Sequence, residues 1–144
     1  MWHDIEVGDE LPSSSRTTDL ENWNRFAAVN DEFVPIHMDD AAGIAAGYPS
    51  AIGMGNLQVA YLHNLIRDWL GAEGEIKSIS TRFEAPNLRG QTITARGVVT
   101  AINAETDRAV ISLDVWTEND DGEVLAPSRA VVVMPSEAHS EGLM

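Results

Sequence analysis

The sequence predicts a single α+β domain in which a curved antiparallel sheet wraps one apolar helix. Two observations lead to this prediction. In the first half of the chain the apolar residues have helical spacing, whereas after the segment GAEGE β-branched and other apolar residues alternate with polar ones. The 144 residues are also enough for one compact domain and few for two. Helices followed by a run of strands are typical of the α+β class, because the sheet can then cover the preceding helix.

Three helices are predicted before the strands. The first spans Asp19 to Val29 and has an aspartate at its N-cap position. A short second helix runs from Asp39 or Asp40 to about Ala46 and is closed by Gly47. The third, from about Gly53 to Leu70, is apolar on more than one face, and such a helix is normally enclosed by other structure. We therefore expect it to be the central helix.

Four strands are predicted to follow the helices. They are the alternating segment Ile79 to Glu84, the β-branched segment Thr92 to Ile102, the alternating segment Val110 to Thr117, and Val124 to Met134. The sequence NDDG at 119–122 predicts a hairpin turn between the last two. Residues 135–144 are predicted to be a flexible tail, so the domain itself covers residues 1–134.

The composition limits the classes of function. The chain has no cysteine, which excludes disulfides, thiolate nucleophiles and thiolate metal ligands. Its formal net charge of −14 disfavours binding to nucleic acid or to an anionic membrane. No apolar run approaches the roughly 20 residues of a membrane span. The first residues have neither the basic start nor the apolar core of a signal peptide, so we expect a cytoplasmic protein.

The stretch NDEFVPIHMDDA, residues 30–41, contains the candidate site. Pro35 fixes its own φ angle and biases Val34 towards extended geometry, so this stretch forms a stiff, non-helical connector. A carboxylate and the His37 imidazole lie five residues apart on it. Such a pair can hold one water molecule and exchange protons near neutral pH. The alternative is a solvated turn with a structural histidine, and the spacing alone favours that alternative.

The residues around His37 resemble the motif of the MaoC-like dehydratases, a hotdog-fold family that includes the (R)-specific enoyl-CoA hydratases. The family motif runs Asp, any residue, Asn, Pro, an aliphatic residue, His, any residue, then Asp or Glu, and this chain has EFVPIHMD at Glu32 to Asp39. The segments GYPSAIGMGNL and RFEAPNLRGQTITARGVVTAI are similar to the start of the family's central helix and to its strand, Pro, Gly, strand pattern. IRDWLG and IKSISTRFEAP further resemble the small MaoC subunits of steroid side-chain hydratases. The resemblance covers nearly the whole chain and implies a hotdog fold.

The resemblance also implies a reaction, namely hydration of a trans-2-enoyl-CoA to a 3-hydroxyacyl-CoA or the reverse dehydration, without a cofactor. A metal site is not expected, because it would need more ligands than His37 and the neighbouring acids provide. Carried over, the catalytic acid is Glu32 and its partner is His37. The backbone N–H of Gly55 is the implied donor to the thioester oxygen, and it lies at a helix start, where unpaired N–H groups favour negative charge. Met54, which precedes Gly55, is predicted to contact the substrate.

Two positions depart from the family motif. Glu32 replaces the aspartate, and Asp31 is the alternative catalytic acid if one extra residue precedes the proline. Val34 occupies a substrate-binding position where the family has asparagine, so an amide that could order the loop or its ligand is missing. His63 lies among apolar residues of the central helix and is assigned to packing or to an interface.

Two other functions stay open. A non-catalytic hotdog subunit that shapes a substrate tunnel for a partner would suit the change to Val34. An acyl-CoA thioesterase of this fold commonly carries its acid on the central helix, where this chain has only Asp68, near the far end. Hotdog proteins of this type usually pair through their sheets with an acyl tunnel at the interface. The resemblance therefore implies an acyl-CoA thioester as substrate and a homodimer, or a heteromer with another hotdog subunit.

Overall fold

The computed structural model describes residues 2–31 and 33–135. Its strands and α-helices, in chain order, are β1 Glu10–Thr17, α1 Leu20–Asn30, α2 Asp40–Ala45, α3 Gly55–Leu70, β2 Glu75–Thr81, β3 Thr92–Ala104, β4 Arg108–Glu118 and β5 Ser128–Pro135. Short 3₁₀ helices occupy Trp2–Asp4 and Pro35–His37. In this part of the chain no helix is long and apolar enough to cross a membrane.

The strands form one antiparallel sheet with the order β1-β3-β4-β5-β2. Helix α3 packs against it, and its buried side chains Leu62, Leu65, Ile66 and Leu70 recur at helical spacing on one face. They meet inward-facing residues of β3, β4 and β5, which include Val99, Ile111, Leu113, Val115 and Val132. Burial of each such side chain contributes about 1.5–3 kcal/mol. The predicted arrangement, a sheet around a central apolar helix, is confirmed.

The helices begin and end close to where the sequence predicts. Asp19 caps α1 through a capping box with Asn22, and Asp39 caps α2 by accepting the N–H of Ala41 at 3.0 Å. Helix α3 begins at Gly55, after the extended residue Met54, and ends before Gly71. The caps satisfy N–H groups that the first helical turn leaves unpaired.

The sheet differs from the prediction in three ways. The sequence does not predict strand β1, because in Glu10–Thr17 only Leu11 is buried and apolar and polar residues do not alternate. The first predicted strand begins earlier, at Glu75, and ends at Thr81, so that Phe83 lies outside it. It also pairs with β5 at the far edge of the sheet, so that only β3, β4 and β5 form a simple meander.

The end of the chain also needs correction. The turn at 119–122 is present, with the N–H of Gly122 donating to the carbonyl of Asn119 at 3.0 Å. After it, Val124 makes only an isolated bridge with Glu118, and β5 begins at Ser128. Pro135, predicted as the first tail residue, ends β5, and the rest of the predicted tail lies outside the described residues.

Candidate active site

His37 ends the 3₁₀ helix that follows the extended residue Val34. Pro35 suits the start of this helix because an N–H would find no partner there, and the N–H of His37 donates to the carbonyl of Val34 at 3.0 Å. The imidazole Nδ1 lies 2.8 Å from the carbonyl oxygen of Ile52. A carbonyl oxygen only accepts, so Nδ1 carries the proton, and in the neutral ring Nε2 keeps a lone pair that can accept another.

Ile52, which orients the imidazole, is itself held on two sides. Its N–H donates to the carbonyl of Ile36 at 2.9 Å, so two hydrogen bonds join it to the 3₁₀ helix. It also forms an isolated antiparallel bridge with Leu88, in the connection between β2 and β3. The position of His37 is therefore set by long-range contacts as well as by its own short helix.

Arg89 links the same region through two carboxylates. Its Nε donates to Asp19 Oδ1 at 2.7 Å and its Nη1 to Asp40 Oδ2 at 2.6 Å. The other oxygen of Asp40 accepts the N–H of Ala51 at 3.0 Å. The Arg89 hydrogen bond is the largest cause that lowers the pKa of Asp19, while for Asp40 the N–H of Ala51 and then Arg89 lower the pKa. This network joins the N-termini of α1 and α2 to the residue before Ile52.

A cavity of about 480 Å³ opens beside His37, and Gly55 at the start of α3 also lines it. The structure thus brings two of the predicted site residues to one space, where first-turn N–H groups of α3 can meet a negatively charged oxygen. A Cβ added to Gly55 would lie 2.9 Å from the ring of Phe83, which also lines the cavity, so a side chain at this position would crowd that ring. Other lining residues are Tyr48, Asn56, Gln58 and Glu84.

Asp31, the alternative acid, lines a different but neighbouring cavity of about 650 Å³. It follows α1 with the left-handed φ of 54°, and its N–H donates to the carbonyl of Ala27. Asn56 lines both cavities and marks where they adjoin. Glu32, the acid at the motif position, lies outside the described residues.

The structure places the other two predicted substrate contacts away from the lining of the His37 cavity. Val34 is extended and 41% exposed, immediately before the 3₁₀ helix. The side chain of Met54 is fully buried in a small cluster with Trp23, Ala27 and Ala51. Its position fixes the start of α3, since its carbonyl accepts the N–H of Leu57 at 3.2 Å.

Gln58 lines the cavity but is not among the site residues that the sequence predicts. Only 3% of it is exposed, although it is polar, and its Oε1 accepts a hydrogen bond from the hydroxyl of Thr117. One signal could have found it: it lies three residues after Gly55, on the same helical face. Its burial, however, depends on β4, which lies far away along the chain.

The described residues contain no group of three or more His, Cys, Asp or Glu side chains that could hold a metal ion. The second cavity is lined by one carboxylate and one imidazole, those of Asp31 and His63. A catalytic zinc site typically needs three protein ligands.

Comparisons with known proteins identify the family of this chain. A family model described as the MaoC like domain matches residues 6–119. The (R)-specific enoyl-CoA hydratase of Aeromonas caviae is 28% identical over 132 residues, which cover 91% of this chain and 96% of that protein.

Solved structures of similar proteins share the fold. The (R)-hydratase from A. caviae involved in PHA biosynthesis superposes with a TM-score of 0.82 at 24% identity, over 92% of this chain and 98% of that one. A chain of the ChsH1-ChsH2 complex from Mycobacterium tuberculosis superposes with a TM-score of 0.81 at 25% identity, over 90% of this chain and 98% of that one. R-hydratase PhaJ1 from Pseudomonas aeruginosa superposes with a TM-score of 0.83 at 21% identity, over 94% of this chain and 86% of that one. These likenesses confirm the predicted hotdog fold. Since the family match spans most of the sequence and includes the His37 motif, the chain belongs to the MaoC-like dehydratase family.

Proposed function

We propose that this protein hydrates a trans-2-enoyl-CoA to a 3-hydroxyacyl-CoA, or catalyses the reverse dehydration. One observation carries the proposal: His37, oriented by Ile52, lines the same cavity as Gly55 at the start of α3. Membership of the MaoC-like family and the similarity to the A. caviae hydratase support the same reaction. By analogy with that relative, we expect the (R)-3-hydroxy product.

The proposed chemistry needs proton transfer but no redox step. A water oxygen forms a bond to the β-carbon while the π electrons of the double bond move towards the α-carbon and the thioester oxygen. Nε2 of His37 accepts the proton that the water loses, and the catalytic carboxylate holds the same water. A proton returned to the α-carbon from this pair completes the net addition of one water. Each positioned proton-transfer group typically contributes about 10²–10⁴-fold to the rate.

The thioester oxygen gains negative charge during this step, and the backbone N–H of Gly55 is the proposed donor to it. The start of α3 suits that role, because unpaired N–H groups and the helix dipole both favour an anion there. A preorganised donor needs no reorganisation when the charge appears, which is why such groups contribute strongly to catalysis.

The catalytic acid is proposed to be Glu32, with Asp31 as the alternative. Asp31 lines the neighbouring cavity rather than the one beside His37, which supports a less direct role. We expect Glu32→Gln to lower the hydration rate about 10²–10⁴-fold, and Asp31→Asn to have a much smaller effect. The reverse ranking assigns the acid to Asp31. Full activity in both variants removes the carboxylate from the proposed mechanism.

A second candidate function is that of a non-catalytic subunit in a heteromeric hydratase. The similarity to the ChsH1-ChsH2 complex and the valine at position 34 favour it. We also propose that the protein works as a homodimer or as a heteromer with another hotdog subunit. Three large, exposed apolar side chains near the site support this assembly. Phe33 and Val34 lie in the motif before His37, and Phe83 lies next to Gly55.

The decisive experiment gives the purified protein crotonyl-CoA and, separately, a bulkier enoyl-CoA. Loss of the enoyl absorbance and release of free thiol are followed in parallel. Enoyl loss without thiol release supports hydration, whereas thiol release supports the thioesterase. Absence of both over a range of acyl groups, in a protein shown by light scattering to be assembled, overturns the proposed activity and favours the subunit role.

A further inference from the structure

We propose that the side-chain amide of Gln58 donates a second hydrogen bond to the thioester oxygen, beside the backbone N–H of Gly55. This inference rests on the proposed hydratase function and adds a substrate-binding side chain to it. It follows from three properties of Gln58, namely its burial, the orientation of its amide and its position on α3.

The first property is that a polar side chain lies buried at the cavity. Gln58 is 3% exposed, and it lines the space that His37 and Gly55 also line. Burial of an amide costs free energy unless its donors and its acceptor find partners. A glutamine is therefore an unfavourable choice for this position unless the amide has a task there.

The second property is that the amide is oriented. The Thr117 hydroxyl donates to Gln58 Oε1, and Thr117 is fully buried in β4. With the oxygen occupied in this way, the other end of the amide is Nε2, which can only donate. In the described part of the chain Nε2 makes no hydrogen bond. It is also not among the fully buried nitrogen atoms that lack a partner, so it is accessible from the cavity. Its two N–H groups can therefore serve a ligand in the cavity.

The third property is the position on the helix. Gln58 follows Gly55 by three residues, so the two lie on one face of α3, one turn apart. Helical side chains point back towards the N-terminus, which directs the Gln58 amide over the turn that contains Gly55. Gly55 has no side chain to occupy that space. The side-chain amide of Gln58 and the backbone N–H of Gly55 therefore both face the cavity from the start of α3, where the two can donate to one oxygen.

The first test is steady-state kinetics of Gln58→Met, a change that keeps the length of the side chain and removes the amide. We expect kcat to fall about 10²–10³-fold, as when one donor to an oxyanion is lost, and KM to change little. Asn64→Leu, a polar-to-apolar change at an exposed position of the same helix, is the control and should keep the wild-type kcat. Circular dichroism establishes that each variant is folded.

The second test is a pH profile of Gln58→Glu, which separates donation from packing. A neutral carboxyl can donate through its O–H, whereas the carboxylate repels the developing oxyanion. The ratio of variant to wild-type kcat should therefore fall as the pH rises through the pKa of the new carboxyl. Dividing by the wild-type value removes any pH dependence of kcat that the two enzymes share. A merely structural role gives a ratio that stays flat, or one that falls only together with the melting temperature of the variant, because ionisation of a buried carboxyl also destabilises the fold.

The outcomes separate this inference from the proposed function. An active wild type with an unchanged kcat in Gln58→Met, or with a flat pH ratio in Gln58→Glu, overturns the role of Gln58 alone. A wild type without activity on any enoyl-CoA overturns the hydratase function and this inference with it. If Gln58→Met does not fold, the pH ratio of Gln58→Glu decides.

Discussion

His37 Nδ1 lies 2.8 Å from the carbonyl oxygen of Ile52, while the N–H of Ile52 donates to the residue before His37 at 2.9 Å. These two bonds run in opposite directions between the same short segments. They fix the ring plane and the tautomer together, so that Nε2 is the nitrogen available to a substrate. In a hydratase this arrangement means that the base is set before the substrate arrives.

The first prediction concerns His37→Asn. The shorter amide can still donate towards the Ile52 carbonyl, but it has no basic nitrogen at the position of Nε2. We expect the hydration rate to fall about 10²–10⁴-fold with little change in the melting temperature. Initial rates on an enoyl-CoA and a thermal melt measure the two quantities. His63→Asn, at an exposed position of α3, is the matched control, and equal loss in both variants would contradict the assignment.

The second prediction concerns Arg89 and acid stability. The pKa of Asp19 is lowered chiefly by its hydrogen bond to Arg89, and that of Asp40 is lowered by Ala51 and by Arg89. An aspartate with a lowered folded pKa stabilises the fold above its unfolded pKa of about 3.9, and this contribution is lost as the pH falls through the folded value. Arg89→Gln should therefore be less stable than the wild type near neutral pH, and the difference should shrink in acid.

Urea unfolding midpoints measured from pH 7 down to about pH 3 test this prediction, since they bracket the unfolded aspartate pKa. Arg25→Gln is the control because Arg25 forms an ion pair with Glu21 in which the side chains are 75% and 74% exposed. Exposed pairs contribute little to stability, so this variant should follow the wild type at every pH. A difference between Arg89→Gln and wild type that stays constant with pH would contradict the prediction.

The sequence predicts the central helix and its partners well because their patterns are local. The helical spacing of Leu62, Leu65 and Ile66 predicts which face of α3 is buried, and the alternation of apolar and polar residues does the same for β4. Strand β1 has no such pattern. It pairs with β3 at the edge of the sheet through backbone hydrogen bonds and through hydroxyl pairs such as Ser15 with Thr94, and Leu11 is its one buried side chain.

The candidate site could be predicted only as far as the motif extends. The motif identifies His37, and the start of the helix identifies Gly55, because both depend on neighbouring residues. The bond from His37 to Ile52 spans 15 residues, and the hydroxyl that orients Gln58 lies 59 residues away. Such partners are set by the way the sheet folds over α3, so no local pattern reveals that Gln58 is a buried residue with an oriented amide.

The third prediction concerns Gly53→Ala. An added Cβ would lie 2.7 Å from Asn87 Oδ1 and 2.9 Å from Trp23 Nε1, and both of these side chains are buried. Neither can move without disturbing its own packing, so we expect a loss of about 1–3 kcal/mol in the free energy of unfolding. Urea denaturation measures it. An unchanged midpoint would show that the surrounding side chains adjust without cost.

The fourth prediction concerns Gly55→Ala, which provides the contrast. The added Cβ would lie 2.9 Å from the ring of Phe83, but that ring is 56% exposed and can turn towards solvent. We therefore expect the melting temperature to stay close to that of the wild type. In the proposed mechanism the methyl group would nevertheless occupy space that the thioester needs to reach the N–H of Gly55, and a displacement of about 1 Å in a reacting group can cost roughly 10²-fold in rate.

The two alanine variants, Gly55→Ala and Gly53→Ala, should accordingly differ in which property they lose, as measured by enzyme kinetics and thermal melting. The first variant loses activity and keeps its stability, whereas the second loses stability. The variant Phe83→Ala in combination with Gly55→Ala refines the test, because it removes the ring and leaves the methyl group in place. If activity returns in the double variant, the displaced ring had blocked the cavity. If activity does not return, the methyl group itself keeps the thioester from the Gly55 N–H. That outcome supports the proposed donor at the start of α3.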